Sequence, residues 1–469
     1  MRFIITVVVL LSTSVLGTQL MIKNMPRQSV ILPDEFGPFY FDQKIDHFNH
    51  DINTTTATFR QRYWMNAKYY KKYGPVILYN AGETDAIERY NYIINSTMND
   101  LAQSLHGIMI LIEHRYYGES TPFPDYSTEN MHFLNTKQAL ADMSYFINMV
   151  KIPTSHVPPW IMYGGSYSGN IAAWMRLKYP DIVFAAVASS APVEIKTEFW
   201  NYYDPIIRYG PMHCIDAIIS TVEQVDQILF SNDSDAKLEL FTKFGLSGLK
   251  HDDDFASWIG YPLGGWQNIL PGDNNNEFLD FCKIFDNSTT PVEYMDVYAQ
   301  YIVTTVCHNS GDAVCISTHN PDSPLYTDMT LRHRAWLYQT CTEYGYWAIA
   351  APDGYRSLVS HKLDINWFQR QCQYTFGHNY TIDDKIFNCH YGGWNAMPTR
   401  TIWIDGEYDP WRELSVHSLD APMRNSSNAI IIPHAVHHWD FYSGQYTPES
   451  IKQAQMQILR ILQGWLKHY

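Results

Sequence analysis

The sequence holds no run of lysine or arginine long enough to track a nucleic-acid backbone, and its formal net charge is -15. A nucleic-acid partner is therefore not expected. Charged residues are scarce at 17%, against 46% hydrophobic and 15% aromatic residues, a balance that excludes a disordered or fibrous chain and describes a well-packed globular protein. No C-x-x-C pair occurs, which removes zinc ribbons and thioredoxin-like redox sites. No H-E-x-x-H occurs either, so the helical zinc-protease motif is absent. Neither a cofactor nor a metal ion is expected. There is no internal repeat and no low-complexity linker, and beyond the amino terminus no apolar stretch approaches the ~20 residues of a membrane-spanning helix.

What is present begins with Met1-Arg2-Phe3, an apolar run from Ile4 to Leu11 and small residues up to Gly17. This is the layout of a secretory signal peptide, residues 1–17; the alternative, an amino-terminal membrane anchor, needs a longer apolar run. Asn-x-Ser/Thr sequons at Asn53, Asn95, Asn232, Asn287, Asn379 and Asn425 agree with passage through the secretory pathway, to the extracellular space or the lysosome. So do seven cysteines, Cys214, Cys282, Cys307, Cys315, Cys341, Cys372 and Cys389, in a compartment that favours disulfides. Their odd number leaves one unpaired.

A chain of 469 residues exceeds one ordinary domain. From Pro75 to Pro192 short apolar runs alternate with helical stretches, as in a mainly parallel sheet with crossover helices. Val76–Tyr79, Ile108–Ile112, Trp160–Tyr163 and Phe184–Ala188 are expected strands, apolar throughout and so covered on both faces. Between 194 and 395 the sequence is aromatic, acidic and cysteine-bearing without strand alternation, which predicts a separate helical insert. Strands resume at Thr401–Ile404 and Ala429–Ile432. Thr447 and Pro448 then open a closing helix with Ile451, Ile458, Ile461, Leu462 and Trp465 at helical spacing. Residues 30–193 and 396–469 thus form two parts of one sheet domain. Asp252-Asp253-Asp254 and Asn274-Asn275-Asn276 are expected in exposed loops.

The strongest chemical signal is Tyr163-Gly164-Gly165-Ser166-Tyr167-Ser168-Gly169 between a strand and a helix. A serine on so sharp a turn needs small neighbours two residues away, and this is the nucleophile elbow of an α/β-hydrolase fold. Gly164 meets the requirement; Ser168 departs from G-x-S-x-G but is small. A purely structural serine in a glycine-rich turn is the competing reading. The Tyr167 N–H would point into an oxyanion hole. A serine hydroxyl needs a base and an acid, which this fold supplies in the order Ser, Asp, His. For the acid, Asp409 competes with Asp405 and Glu407; for the base, His437 and His438 lead His434. These histidines with Asp440 could instead ligate a metal. The tryptophans Trp336, Trp347, Trp394 and Trp411 could line an apolar pocket, although most aromatics in such a chain are core.

Taken in order, the motifs resemble the lysosomal Pro-X carboxypeptidase family, which includes dipeptidyl peptidase II and thymus-specific serine protease. The resemblance runs through residues 41–48, 113–120 (Glu-His-Arg-Tyr-Tyr-Gly-Glu-Ser), 138–142 and 164–167, then Ser189-Ser190-Ala191-Pro192, residues 338–343, Asp409-Pro410-Trp411 and His437-His438-Trp439-Asp440. Residues 172–176, 185–193 and 340–345 look closest to the thymus-specific branch. The resemblance implies a serine exopeptidase acting on peptide substrates, an α/β-hydrolase core with an inserted helical cap over the site, and a triad of Ser166, Asp409 and His437. It also implies a second oxyanion donor in the Gly82-Glu83 turn, a substrate pocket with Trp411, Glu343 and Trp336, and a Cys341 to Cys372 disulfide. Ser168 and Asp405 stand where relatives commonly carry Gly and Asn, departures that leave the implied triad intact.

The expected reaction is cleavage next to proline or a small residue, at either the carboxy or the amino end of a peptide. An esterase using the same serine and a non-catalytic secreted binding protein are the alternatives. Dimerisation through the cap is a further possibility that the sequence leaves open.

Overall fold

The computed structural model describes residues 34–49, 57–272, 276–305, 320–422, 428–443 and 447–469. The signal-peptide segment, Asn53, Asn425, Cys307 and Cys315 lie outside them. Eight strands form the central sheet in the order β1 (Phe39–Lys44), β2 (Thr58–Asn66), β4 (Ile108–Ile112), β3 (Val76–Asn80), β5 (Trp160–Gly165), β6 (Val183–Ser189), β9 (Thr401–Gly406) and β10 (Ala429–Ile432). β1 and β2 run antiparallel, as do β2 and β4, and the pairs from β4 to β10 are parallel. This is the α/β-hydrolase core that the motif order implied.

The parallel strands are where the sequence put them because their apolar runs are buried on both faces. β3, β4, β5, β6 and β9 are buried along their whole length, as crossover helices require. The antiparallel pair β1 and β2 escaped the sequence reading for a physical reason: polar Gln43, Gln61, Arg62 and Asn66 share the buried positions there with Phe59 and Trp64. Gln43 donates to Gln61 (2.9 Å), and Gln61 to the Glu113 carbonyl (2.7 Å), so no apolar alternation exists to be read.

Between β6 and β9 the chain is helical, with only a short parallel ribbon of β7 (Lys196–Glu198) and β8 (Gly345–Trp347) among the described residues. The buried side chains of this insert continue without a break into those on one face of the sheet; the other face packs on Thr97–Ser104 and the closing helix Glu449–Leu466. Disulfides join Cys214 to Cys282 and Cys341 to Cys372, and Cys389 is free and exposed. Three expectations need correction. Asp252-Asp253-Asp254 is no loop but the first turn of helix Asp252–Ile259, where negative charge is favourable; Asp254 is fully buried, taking hydrogen bonds from Trp367 (2.9 Å) and Arg370 (3.3 Å). Asn276 is buried as the N-cap of Glu277–Lys283, while 273–275 lie outside the described residues. The closing helix starts one residue later than expected, with Pro448 as its N-cap.

Three of the family motifs meet at one buried ion pair. All five N–H donors of Arg115 are engaged: two on Asp142 (2.6 Å each) and three on the carbonyls of Lys44, Ile45 and Phe133 (3.0–3.1 Å). His47 reaches the same carboxylate at 2.7 Å. Burial alone would raise the Asp142 pKa, but Arg115 and His47 beside it hold it below the usual carboxylate range. Through this ion pair the motifs fasten the amino-terminal strand to the sheet. Removing one partner leaves the other charge buried and unpaired, so Asp142→Ala should lose about 3–5 kcal/mol of stability in chemical denaturation; a loss below about 1 kcal/mol would contradict this account.

Candidate active site

The turn from β5 into helix α1 (Tyr167–Lys178) forces Ser166 to φ 58° and ψ -131°, a strained conformation for a residue with a Cβ. Close backbone approach explains the glycines. A Cβ on Gly164 would overlap the Ser168 carbonyl, and one on Gly169 would lie 2.8 Å from the Ser189 carbonyl oxygen. Ser168, the departure from glycine, donates its hydroxyl to the Asn80 carbonyl (2.6 Å) and so ties the elbow to the end of β3. Ser166 occupies the N-cap position, yet its side chain caps nothing. A serine there ordinarily gives its oxygen to the helix; here the hydroxyl is left available.

Of the three acidic competitors, Asp405 at the end of β9 and Glu407 and Asp409 after it, the structure brings one to the histidine loop. Asp409 is fully buried and receives the Trp411 N–H (2.9 Å), and both its oxygens lie on His437 Nδ1, at 3.0 and 2.9 Å. Asp405 is instead held by Ser415 (3.0 Å) and His417 (2.6 Å), and Glu407 receives the His434 N–H (2.9 Å). Because a carboxylate only accepts, Nδ1 carries the hydrogen and Nε2 the lone pair of neutral His437. That Nε2 is buried and bonded to nothing among the described residues.

The turn carrying His437 is pinned to the elbow by residues that stand in the sequence only as part of a motif string. Asp440 accepts from Tyr163 (2.6 Å) and Ser189 (2.5 Å), Ser189 accepts the Ser166 N–H (2.9 Å), and the His438 N–H donates to Ser190 (2.9 Å). A Cβ on Gly165 would lie 2.8 Å from the Phe441 ring, so the two turns are in contact. His434, His437, His438 and Asp440 thus go to separate partners, and no group of three metal-ligating side chains is gathered among the described residues. Burial, together with the His437 charge, pushes His438 well below its usual pKa, so it stays neutral.

Near the expected oxyanion position, the Tyr167 N–H lies in the first helical turn, where the helix offers no acceptor. Gly82, at φ 72°, gives its N–H to Asn80 Oδ1 (2.8 Å) and so is not free for the expected role. Burial raises the Glu83 pKa, with Arg89 and His437 opposing. A cavity of about 50 Å³ borders His437, lined by insert residues 267–271 and by His438, Trp439, Phe441 and Tyr442. Trp411 lies 6.2 Å from the His437 ring and donates to Gln267 of the insert (2.7 Å). Trp336 and Glu343, expected in the pocket, do not line this cavity: Trp336 packs on Tyr167, next to Ser166, and on Tyr344, and Glu343 accepts the N–H and hydroxyl of Thr136 (2.8 and 2.9 Å). Trp347 stacks on Phe368 in the core. Sequons Asn95, Asn232, Asn287 and Asn379 are exposed.

Comparison with known proteins decides the family. The serine carboxypeptidase S28 profile matches residues 43–458. The chain belongs to that family. This S28 chain is 31% identical to a probable extracellular serine carboxypeptidase of Arthroderma benhamiae (strain ATCC MYA-4681 / CBS 112371), over 90% of this chain and 67% of that one. It is 27% identical to the lysosomal Pro-X carboxypeptidase of Homo sapiens (95% and 92%) and 27% identical to the thymus-specific serine protease of Mus musculus (91% and 87%). The S28 chain is thus a serine-type exopeptidase. Among solved structures it aligns with a peroxisomal α/β-hydrolase of Saccharomyces cerevisiae over 92% of this chain and 87% of that one, at 11% identity and a TM-score of 0.36.

Near neutral pH, above the range in which the buried histidines titrate, three buried carboxyls shape the pH response of the S28 chain. Burial raises Asp440 to about 6, against its Ser189 and Tyr163 donors, and raises Glu343 to about 7, against Thr136. It also raises Glu413 to about 7, with Arg208 at 3.8 Å opposing. A carboxyl whose pKa is raised by folding stabilises fully below its unfolded value and loses that contribution as pH rises through the folded value. Asp142 works oppositely below the ordinary carboxylate range, and the buried histidines His114, His333 and His438, whose pKa values folding lowers from 6.5, work oppositely below that value. Thermal melts should therefore fall by a few degrees, roughly 2–5 °C, from about pH 6.5 to about pH 8; a midpoint that rises over this interval would refute the assignment.

Proposed function

We propose that this peptidase hydrolyses peptides through Ser166, His437 and Asp409 by way of an acyl-enzyme, at one end of the chain and next to proline or a small residue. The observation that carries the reading is the buried pair of Asp409 and His437, which fixes the imidazole tautomer so that Nε2 holds a lone pair. In the reaction the Ser166 Oγ adds to the scissile carbonyl carbon while its proton passes to His437 Nε2, and Asp409 stabilises the resulting imidazolium. The carbonyl oxygen takes the negative charge beside the Tyr167 and Glu83 N–H groups. Collapse breaks the C–N bond as His437 returns the proton to the leaving amine; water then repeats the sequence on the ester, freeing Ser166.

Burial supports action at a chain end. Ser166 and His437 are only 6% and 4% exposed, and the insert residues 267–271 wall the cavity beside the histidine. A peptide terminus can enter such a site where a continuous chain cannot. The Pro-X specificity in the human relative's name supports cleavage next to proline, and the names of the extracellular and lysosomal relatives support a secretory-pathway location with removal of residues 1–17. The exposed sequons would then carry glycans.

Ser166→Ala and His437→Ala should each lower kcat/KM by about 10^3-fold to 10^4-fold or more with an unchanged melt. Mass spectrometry of proline-containing peptides, free or blocked at either end, reads which terminus is trimmed. Activity retained in Ser166→Ala would overturn the mechanism, and efficient internal cleavage of doubly blocked peptides would overturn the chain-end reading.

A further inference from the structure

A buried hydrogen-bond chain runs behind the elbow and crosses from the sheet domain into the insert. His114 Nδ1 lies 2.7 Å from the Arg115 carbonyl, which can only accept, so Nδ1 bears the hydrogen. Burial lowers the His114 pKa to about 4, which keeps the ring neutral and makes Nε2 an acceptor. The Tyr167 hydroxyl, 3.0 Å away, must then donate to it. Gln339 Nε2 in turn donates to the Tyr167 oxygen (3.0 Å), and the Tyr117 hydroxyl donates to Gln339 Oε1 (2.5 Å). Each link therefore has one permitted direction, from Tyr117 through Gln339 and Tyr167 to His114 and Arg115. Tyr167, Tyr117, His114 and Gln339 are all buried.

Of these residues only Gln339 belongs to the insert. It ends the helix His333–Gln339 and is followed by a wide π turn, Thr340–Tyr344, which closes at Gly345 with φ 64°. Cys341, disulfide-bonded to Cys372, lies within that turn. The same segment holds α1 again through Tyr346, whose hydroxyl accepts from Asn170 (3.1 Å), while Trp336 and Tyr344 pack on the Tyr167 ring at 5.6 and 5.4 Å. The Tyr167 side chain is thus fixed from the insert, and its backbone N–H is the group on which the oxyanion reading rests.

We infer that Gln339 is a positioning residue for catalysis: through the Tyr167 hydroxyl it aims the Tyr167 N–H at the developing oxyanion, so the insert supplies part of the transition-state geometry and is more than a cover. This rests on the serine mechanism proposed above. An N–H displaced by a fraction of an ångström weakens the transition state without touching ground-state binding.

The test uses the full chain with substitutions Gln339→Leu and Tyr167→Phe, each retaining bulk while removing the bond between these two side chains. Both should lower kcat by about 10-fold to 100-fold, leave KM within about 2-fold, and weaken a peptide boronate, which forms the tetrahedral adduct, by the same factor as kcat. In the double variant Gln339→Leu should add little to Tyr167→Phe. A merely structural role would lower the melting midpoint and leave kcat and boronate affinity unchanged, and that outcome in Tyr167→Phe overturns the inference even if Gln339→Leu fails to fold. Boronate affinity that survives Ser166→Ala would overturn the serine mechanism, and the inference with it; boronate binding lost in Ser166→Ala but untouched in both network variants overturns the inference alone.

Discussion

The close crossing of β5 and α1 at Ser166 is the constraint on which the surrounding structure depends. A strand that turns into a helix within one residue must hold that residue at positive φ, and the strain persists only where neighbours over-determine it. Those neighbours are identifiable. The Ser166 N–H is held by the Ser189 carbonyl, Ser168 is tied to β3, and the absence of a side chain at Gly164 lets the two backbones pass. Ser189 then reaches Asp440 through its hydroxyl, so the bonds that hold the elbow also locate the turn carrying His437.

Around this crossing the molecule buries many polar groups and supplies them with partners. Arg115 uses all five donors, and Asp409 accepts from both a backbone and a ring N–H. Glu113 receives Arg62, Ser120 and three backbone N–H groups. In a low-dielectric interior such satisfied networks specify one arrangement, because any slip leaves a buried group without a partner. The insert takes part in the same networks. Its apolar side chains extend the core on one face of the sheet, and Gln267, Gln339 and Tyr346 reach Trp411, Tyr167 and Asn170 of the sheet domain.

The parallel strands and the elbow were legible because each rests on local sequence: uninterrupted apolar runs mark strands buried on both faces, and glycines beside a serine mark a sharp turn. β1 and β2 were not legible, since Gln43, Gln61 and Arg62 are buried and erase the alternation that betrays a half-buried strand. Asp252-Asp253-Asp254 misled for a related reason. Three successive carboxylates read as a solvated loop unless Arg370 and Trp367, more than a hundred residues later, are known to lie across from them.

By itself the sequence determined the order of the apolar runs, the place of the serine elbow and the family motifs, because these depend on residues adjacent in the chain. It left Asp405, Glu407 and Asp409 as rival acids until the resemblance chose among them, and it offered Trp336 for the pocket only as one of several tryptophans. Only the tertiary structure decided that Asp409 meets His437 while Asp405 turns to His417, that Glu343 serves Thr136, and that Gln339 reaches Tyr167. Those outcomes follow from which strand ends and turns converge in space, and hydrogen-bond geometry over about 3 Å is set by packing between segments that local sequence does not encode.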